Sequence, residues 1–367
     1  MMWHRETGTE APHGCRLVVG AAAAVMLMAA AIACRSEADE AAERFRRWCA
    51  DRAAEAERAG TAVVPGEDGW LFFAPELRFI GAGQFWGERA AAVSRAPAEV
   101  ADPLPAILHV HRALHALGVR LLLVPVPPKA IVHADALAAG IAQEPPPRLD
   151  AHVQRFYATL REAGVDVLDL TETFLGERRA APDPLYCRRD THWSGTGVVT
   201  AGRAVAARIR ASGLDLPSGR SFDEEWRELT IVGDLQRLSG RSDVPPERVR
   251  VRAVGVRGPD GLSAVEPDAA SPVLLVGDSH TLVFHAGGDL HATRAGLPDQ
   301  LARELGLAVD VAGVRGAGST AAWVDVARRA RREARYLPGK RIVIWCFAAR
   351  ELTEGDGWRR VPIGPSD

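Results

Sequence analysis

Val273-Leu274-Leu275-Val276-Gly277-Asp278-Ser279-His280 (VLLVGDSH) is the stretch on which the fold turns. Four apolar residues in a row, with no polar alternation, suit a strand covered on both faces. The glycine permits a sharp turn after it. Ser279 then falls in the first turn of the next helix. In an open parallel sheet, ligands bind outside the carboxyl ends of the strands. A serine standing there has its Oγ exposed and backbone N–H groups nearby to hold an oxyanion. Gly277, Asp278 and His280 are the adjoining oxyanion or cleft candidates. The same residues suit a plain helix start with Ser279 as N-cap, so the tripeptide alone leaves two readings open.

Working outward, strands and helices alternate. Val119 to Val126 (VRLLLVPV), Val165 to Leu170, Ala308 to Val311 and Arg341 to Phe347 (RIVIWCF) read as further strands. Pro105 to Leu117, Leu149 to Ala163, Thr196 to Ala211 and Ala321 to Arg335 have helical spacing. This alternation predicts an α/β fold, three layers α/β/α around a mainly parallel sheet. Gly66-Glu67-Asp68-Gly69 is a turn, and Trp70-Leu71-Phe72-Phe73 after it suits a buried strand. Arg220 to Pro267 is polar and reads as an irregular insertion. Residues 35–60 are charged and Ala-rich, which predicts an exposed helical linker. Residues 61–367 then form one catalytic domain.

The chain has 367 residues, 47% hydrophobic and 25% charged, which excludes a disordered, collagen-like or multi-span chain. Its net charge of −2 lacks the basic excess of a protein that wraps nucleic acid, so no nucleic-acid partner is expected. Lys129 and Lys340 are the only lysines among 45 basic residues, so arginine abundance is compositional and no binding signal.

Arg5 and Arg16 precede an apolar run from Leu17 to Ala33, ending Ala31-Ile32-Ala33-Cys34. Residues 1–34 therefore read as an export signal or membrane anchor. Cleavage, lipidation at Cys34 and retention as an anchor all place the remainder outside the cytoplasm, in the periplasm or facing it.

Asp190-Thr191-His192-Trp193 is the second constellation. A serine needs a base, and His is the usual one. The base needs a carboxylate to fix its tautomer. A turning backbone could let Asp190 reach Nδ1 while Nε2 faces the serine. A surface Asp with a packed His and Trp is the competing reading.

Together DTHWSGTG (190–197) and VLLVGDSH (273–280) resemble the periplasmic alginate O-acetyltransferase (AlgJ/AlgX-like) family, which has an SGNH-hydrolase-like fold. DGWLFFAPEL, LLLVPVPPK and IVIWCFAAREL fit it too, so the resemblance spans about residues 62–353. As in that family, the Asp/His block precedes the serine block, the permuted order relative to ordinary SGNH esterases. The resemblance implies Ser279 as nucleophile, His192 as base and Asp190 as orienting acid. It implies transfer of acetyl groups to hydroxyls of an exported polysaccharide, with a membrane-bound O-acyltransferase supplying acetyl and no cofactor. Trp193, Lys129 and Arg315 are the substrate-binding candidates. A carbohydrate acetylesterase and a non-catalytic polysaccharide-binding subunit of the same fold are the alternatives. With residue 367 the last, no carbohydrate-binding module is expected after the catalytic domain.

Four potential ligands, His280, His285, Asp289 and His291, follow the serine, in a pattern not associated with the family. Their spacing fits no standard zinc motif; no metal is expected, and they read as a polar cleft lining. Gly316-Ala317-Gly318-Ser319 opens a helix, where Gly318 or Ser319 could give a second oxyanion donor or simply a loop. Gly233-Asp234-Leu235 resembles a segment common in the family, without a derivable role. Cys187 and Cys346 could pair, though nothing in their spacing supports it. The near-neutral charge means that an acidic polysaccharide would need a local Arg-lined groove.

Overall fold

The computed structural model describes residues 39–138, 148–241, 243–316 and 318–363, and the side chains of residues 318 and 319 lie outside it. Residues 1–34, expected to be an export signal or membrane anchor, lie outside the described residues, Cys34 included. Among those described, ten strands follow in chain order: β1 (Val63–Pro65), β2 (Leu71–Phe73), β3 (Arg120–Val126), β4 (Asp166–Val167), β5 (Asp223–Ile231), β6 (Glu247–Gly258), β7 (Gly261–Ser263), β8 (Val273–Gly277), β9 (Asp310–Gly313) and β10 (Ile342–Ala348).

The central sheet has the order β4-β3-β10-β8-β9, and every neighbouring pair is parallel. Every residue of β8 and β10 is buried, as is all of β3 except Arg120. Burial without alternation means cover on both faces, which the unbroken apolar runs predict. Helices Pro103–Ala116 and Leu170–Glu177 pack on β3, and helix Gly318–Arg332 packs on β8 and β9. The α/β fold and parallel sheet are those expected. The Val165–Leu170 strand is shorter than read, because the Asp169 carboxylate accepts from Thr171 N and starts a helix at Leu170. The Trp70–Phe73 strand forms β2, but it pairs antiparallel with β1 outside the central sheet.

Two expectations are corrected. Arg220 to Pro267 is a regular element: β5 and β6 pair antiparallel over their length, with β7 added at the end. From Arg248 to Val251 exposed Arg alternates with buried Val, the period-two pattern of a half-covered strand, and from Val251 to Gly255 every residue is buried. The supposed exposed linker is helical over 39–58, but one side of it belongs to the main core. Phe45, Cys49, Ala53 and Ala56 are buried there. Burying Phe45 alone contributes roughly 1.5–3 kcal/mol.

Cys49, Cys187 and Cys346 are buried free thiols, so the Cys187–Cys346 pairing is not formed. Among the described residues no helix is long and apolar enough to cross a membrane.

Candidate active site

The carboxyl ends of the parallel strands gather the functional side chains. β8 delivers Ser279, β9 leads to Arg315, β10 to Arg350 and β3 to Lys129. The turn after β8 depends on glycine. A Cβ on Gly277 would sit 2.1 Å from Cys346 O, on the neighbouring strand, and 2.1 Å from Thr281 Oγ1. Gly277 is the last ladder residue of β8, paired with Cys346 and Gly313, so its role in the turn is steric and it brings no side chain to the cleft.

Asp278 is also not cleft lining. It is the buried N-cap: its Oδ1 accepts from His280 N at 2.9 Å, and its Oδ2 accepts from Ala348 N at 2.7 Å. Burial opposes its charge, but nearby His280, the Ala348 N–H and Arg350 outweigh that and hold the carboxyl down at about 2. With Asp278 capping, Ser279 takes the first helical position, where a backbone N–H has no acceptor within the helix. Its side chain stays half-buried.

His192 Nε2 lies 2.8 Å from Ser279 Oγ, and His192 Nδ1 lies 2.6 Å from Asp190 Oδ1. His192 and Asp190 are both buried. Asp190 Oδ1 also accepts from His192 N at 3.0 Å, and Oδ2 accepts from Asp234 N and His291 Nε2, each at 2.9 Å. Burial works against the Asp190 charge, yet the two imidazoles hold its carboxyl well below the usual range. For His192, burial favours the neutral ring, but Asp190 outweighs it and raises the pKa. Ser194 follows and caps helix Gly195–Ala211 by accepting from Gly197 N, which fixes the end of this turn.

The other candidates divide. Lys129 is buried, with Nζ donating to Leu71 O (2.7 Å), Arg188 O (2.8 Å) and Asp190 O (3.1 Å), between the rings of Trp70 and Phe72. It therefore holds the backbone that carries Asp190 and does not face substrate. Burial pulls its pKa down to about 8. Trp193 is fully buried in the core, so it too cannot touch substrate. His280 is wedged against His192 (4.8 Å between ring centroids) and Trp193 (5.5 Å). Its Nδ1 is 3.7 Å from Asp278, beyond hydrogen-bond reach. Burial pushes its pKa down to about 4, so it packs against His192 as a neutral ring. Arg315 is exposed and paired with Asp289. Gly318 begins its helix, while the position of the Ser319 side chain lies outside the described residues.

The cluster after the serine is not one lining. His285 Nδ1 bonds Asp299 Oδ2 at 2.9 Å, and that carboxylate also accepts from Gly296 N at the start of helix Leu297–Leu305. His291 reaches Asp190 instead. Asp234 was unassigned from sequence: its carboxylate accepts from Thr191 N (2.7 Å) and Thr191 Oγ1 (2.5 Å), 4.0 Å from His192 Nδ1. Gly233 makes that approach possible, since a Cβ there would be 2.0 Å from Arg189 O. Asp190, His192 and Asp234 face one another within 4.8 Å, but their facing atoms already serve these hydrogen bonds, which hold the His192 ring in place.

An Arg-lined hollow of about 370 Å³ adjoins the Asp190 turn, walled by Arg188, Arg189, Arg248 and Arg250 with Asp183 and Glu247. A separate cavity of about 390 Å³, with His111, His115 and Arg208, opens at the amino ends of β3 and β10. Ligand sites of open parallel sheets lie at the opposite end, with Ser279.

A parallel sheet with Ser279 at a carboxyl end, reached by the Asp190–His192 pair from an earlier block, fits the SGNH-hydrolase-like fold that the resemblance implies. The chain belongs to the family described as SGNH hydrolase-like domain, acetyltransferase AlgX, whose family model matches residues 63–349. It is 34% identical over 177 residues to the "Probable alginate O-acetylase AlgJ" of Pseudomonas aeruginosa, covering 47% of this chain and 40% of the relative. It is 28% identical over 234 residues to that of Pseudomonas putida, covering 61% of this chain and 56% of the relative. The chain thus spans about half the length of the curated relatives it matches. Among solved structures, the O-acetyltransferase domain of Pseudomonas putida AlgJ aligns with a TM-score of 0.59 at 22% identity, over 80% of this chain and 92% of that one. Pseudomonas aeruginosa AlgX aligns at 0.56 and 19%, over 78% and 62%. These structural likenesses carry the fold.

Proposed function

We propose that this chain transfers acetyl groups to hydroxyls of an exported polysaccharide through an acetyl-Ser279 intermediate. The observation that carries the reading is the line from Ser279 Oγ to His192 Nε2 (2.8 Å) and from His192 Nδ1 to Asp190 Oδ1 (2.6 Å). Ser279 Oγ attacks the acetyl carbonyl carbon, and its proton passes to His192 Nε2. The tetrahedral oxyanion is held by the Ser279 N–H. Collapse breaks the bond to the donor, which leaves with the proton from His192. A sugar hydroxyl then gives its proton to His192 and attacks the acetyl-serine. Breaking the Oγ–acyl bond returns that proton to Ser279. Asp190 stabilises the imidazolium at both stages. The names of the relatives support acetyl transfer to a polysaccharide.

The acceptor is held by Arg315 at the rim and, if acidic, by the Arg188–Arg250 hollow. Residues 1–34 export the chain, and a membrane-bound O-acyltransferase supplies acetyl. Acetyl-ester hydrolysis and transfer to oligosaccharides, measured for wild type and Ser279→Ala, test the reading. Transfer abolished by the substitution supports it. Hydrolysis without transfer makes the protein an esterase, since the two outcomes differ in what excludes water. Activity that survives Ser279→Ala removes the triad.

A further inference from the structure

Two histidines grip Asp190 from opposite oxygens. Oδ1 faces the ring of His192, and Oδ2 accepts from His291 Nε2 at 2.9 Å. We propose that His291 is a positioning residue for acyl transfer, whose Nε2–H fixes the Asp190 carboxylate so that Oδ1 meets His192 Nδ1. This role rests on the triad reading above.

An ionised carboxylate only accepts hydrogen bonds, so His291 must present a proton at Nε2. Its side chain is 7% exposed, too enclosed to bind a polymer itself. The backbone that delivers it is strained. His291 has φ 74° and ψ −47°, a strained γ-turn closed by Ala292 N donating to Leu290 O at 2.9 Å, a conformation that costs a non-glycine residue on the order of 1–3 kcal/mol. Phe284 (φ 60°) and Arg294 (φ 67°) also have positive φ in the same segment. Such strain persists where the surroundings hold it. Here the segment is tied to itself: Phe284 N donates to Leu290 O (2.9 Å), Gly287 N to Ala292 O (2.8 Å) and Ala295 N to Phe284 O (2.8 Å). It is also tied to the nucleophile, because Val283 N donates to Ser279 O at 2.8 Å. One rigid loop therefore carries the serine at its start and a donor to the acid near its end. It registers two catalytic blocks that the sequence supplies separately. Without His291, Oδ2 keeps only the Asp234 N–H, and the carboxylate is free to turn away from the base.

The test is acetyl-ester hydrolysis by the full chain, with kcat and KM resolved for wild type, His291→Ala, His291→Gln and Ser279→Ala. Losing one charge-assisted hydrogen bond to the acid should lower kcat about ten-fold in His291→Ala and leave KM within about two-fold. His291→Gln, which keeps an N–H donor at similar reach, should regain most of the rate. His291→Leu, which fills the space without a donor, carries the comparison if the alanine variant does not fold. The role is overturned if the donor-less variant keeps wild-type kcat, if Gln is as impaired as Leu, or if only KM moves. Ser279→Ala separates the two readings. Turnover that survives it overturns the triad and this role together. A dead Ser279→Ala beside an unimpaired His291→Ala or His291→Leu overturns this role alone.

Discussion

Asp190→Asn is a near-isosteric change that the geometry makes severe. Each carboxylate oxygen takes one backbone N–H and one histidine ring nitrogen: His192 N and Nδ1 on Oδ1, Asp234 N and His291 Nε2 on Oδ2. A histidine can change tautomer, but a backbone N–H cannot. Whichever way the Asn amide turns, its NH₂ faces one backbone N–H and forces one ring to become an acceptor. The stranded donor costs about 1–3 kcal/mol, and the remaining bonds each fall from charge-assisted to neutral strength, a loss of about 1 kcal/mol apiece. Relief from burying a charge offsets part of this, leaving roughly 2–5 kcal/mol of destabilisation. If the NH₂ faces His192, the proton moves to Nε2 and the ring cannot take one from Ser279. If it faces away, no charge stabilises the imidazolium. Either way kcat should fall about 10³–10⁴-fold, the order seen when a Ser-His-Asp site loses its acid charge. The assay is acetyl-ester turnover together with urea unfolding of the same preparation. An Asn variant within ten-fold of wild-type kcat and of unchanged stability would refute the four-donor account.

Three further outcomes follow from the same contacts. Because Asp190 raises the His192 pKa above its ordinary 6.5, kcat/KM should fall on the acid side with a midpoint above that value; a flat profile from pH 5 to 8 would count against His192 as base. Lys129 has a folded pKa near 8 against 10.5 for the free side chain, so between those values the unfolded chain binds a proton that the native state does not. Stability of wild type relative to Lys129→Met should therefore rise with pH across that window, by up to about 3 kcal/mol, and an unfolding difference constant with pH would contradict it. Gly233→Ala would drive a methyl to 2.0 Å from Arg189 O, which should displace Asp234 and lower both melting temperature and kcat; wild-type values for both would show that the close approach is dispensable.

The sheet was legible because its strands are covered on both faces: VRLLLVPV, VLLV and RIVIWCF need no partner to be recognised. Ser279, His192 and Asp190 were legible as residue types in suitable local settings. What failed did so for physical reasons. The hairpin β5–β6 is polar on most outward positions, so its alternation of Val and Arg at 248–251 was lost in a charged segment. The helix over 39–58 buries a stripe of mostly small side chains, which resembles an exposed Ala-rich helix. Trp193 and Lys129 have the chemistry of sugar contacts, and only burial reveals that they hold the site from behind. Asp234 and His291 meet Asp190 across 44 and 101 positions, distances over which no local periodicity carries information.

The sheet order gives the last strand made a place in the middle. β3 and β4 lie on one side of β10, and β8 and β9 on the other. During synthesis β3, β4, β8 and β9 are all made before the strand that pairs with both β3 and β8. β10 is the keystone, and its pairings reach back more than 200 residues to β3. Contacts that distant form late and slowly. The parallel sheet whose carboxyl ends carry Lys129, Ser279 and Arg350 therefore cannot close until β10 has been made.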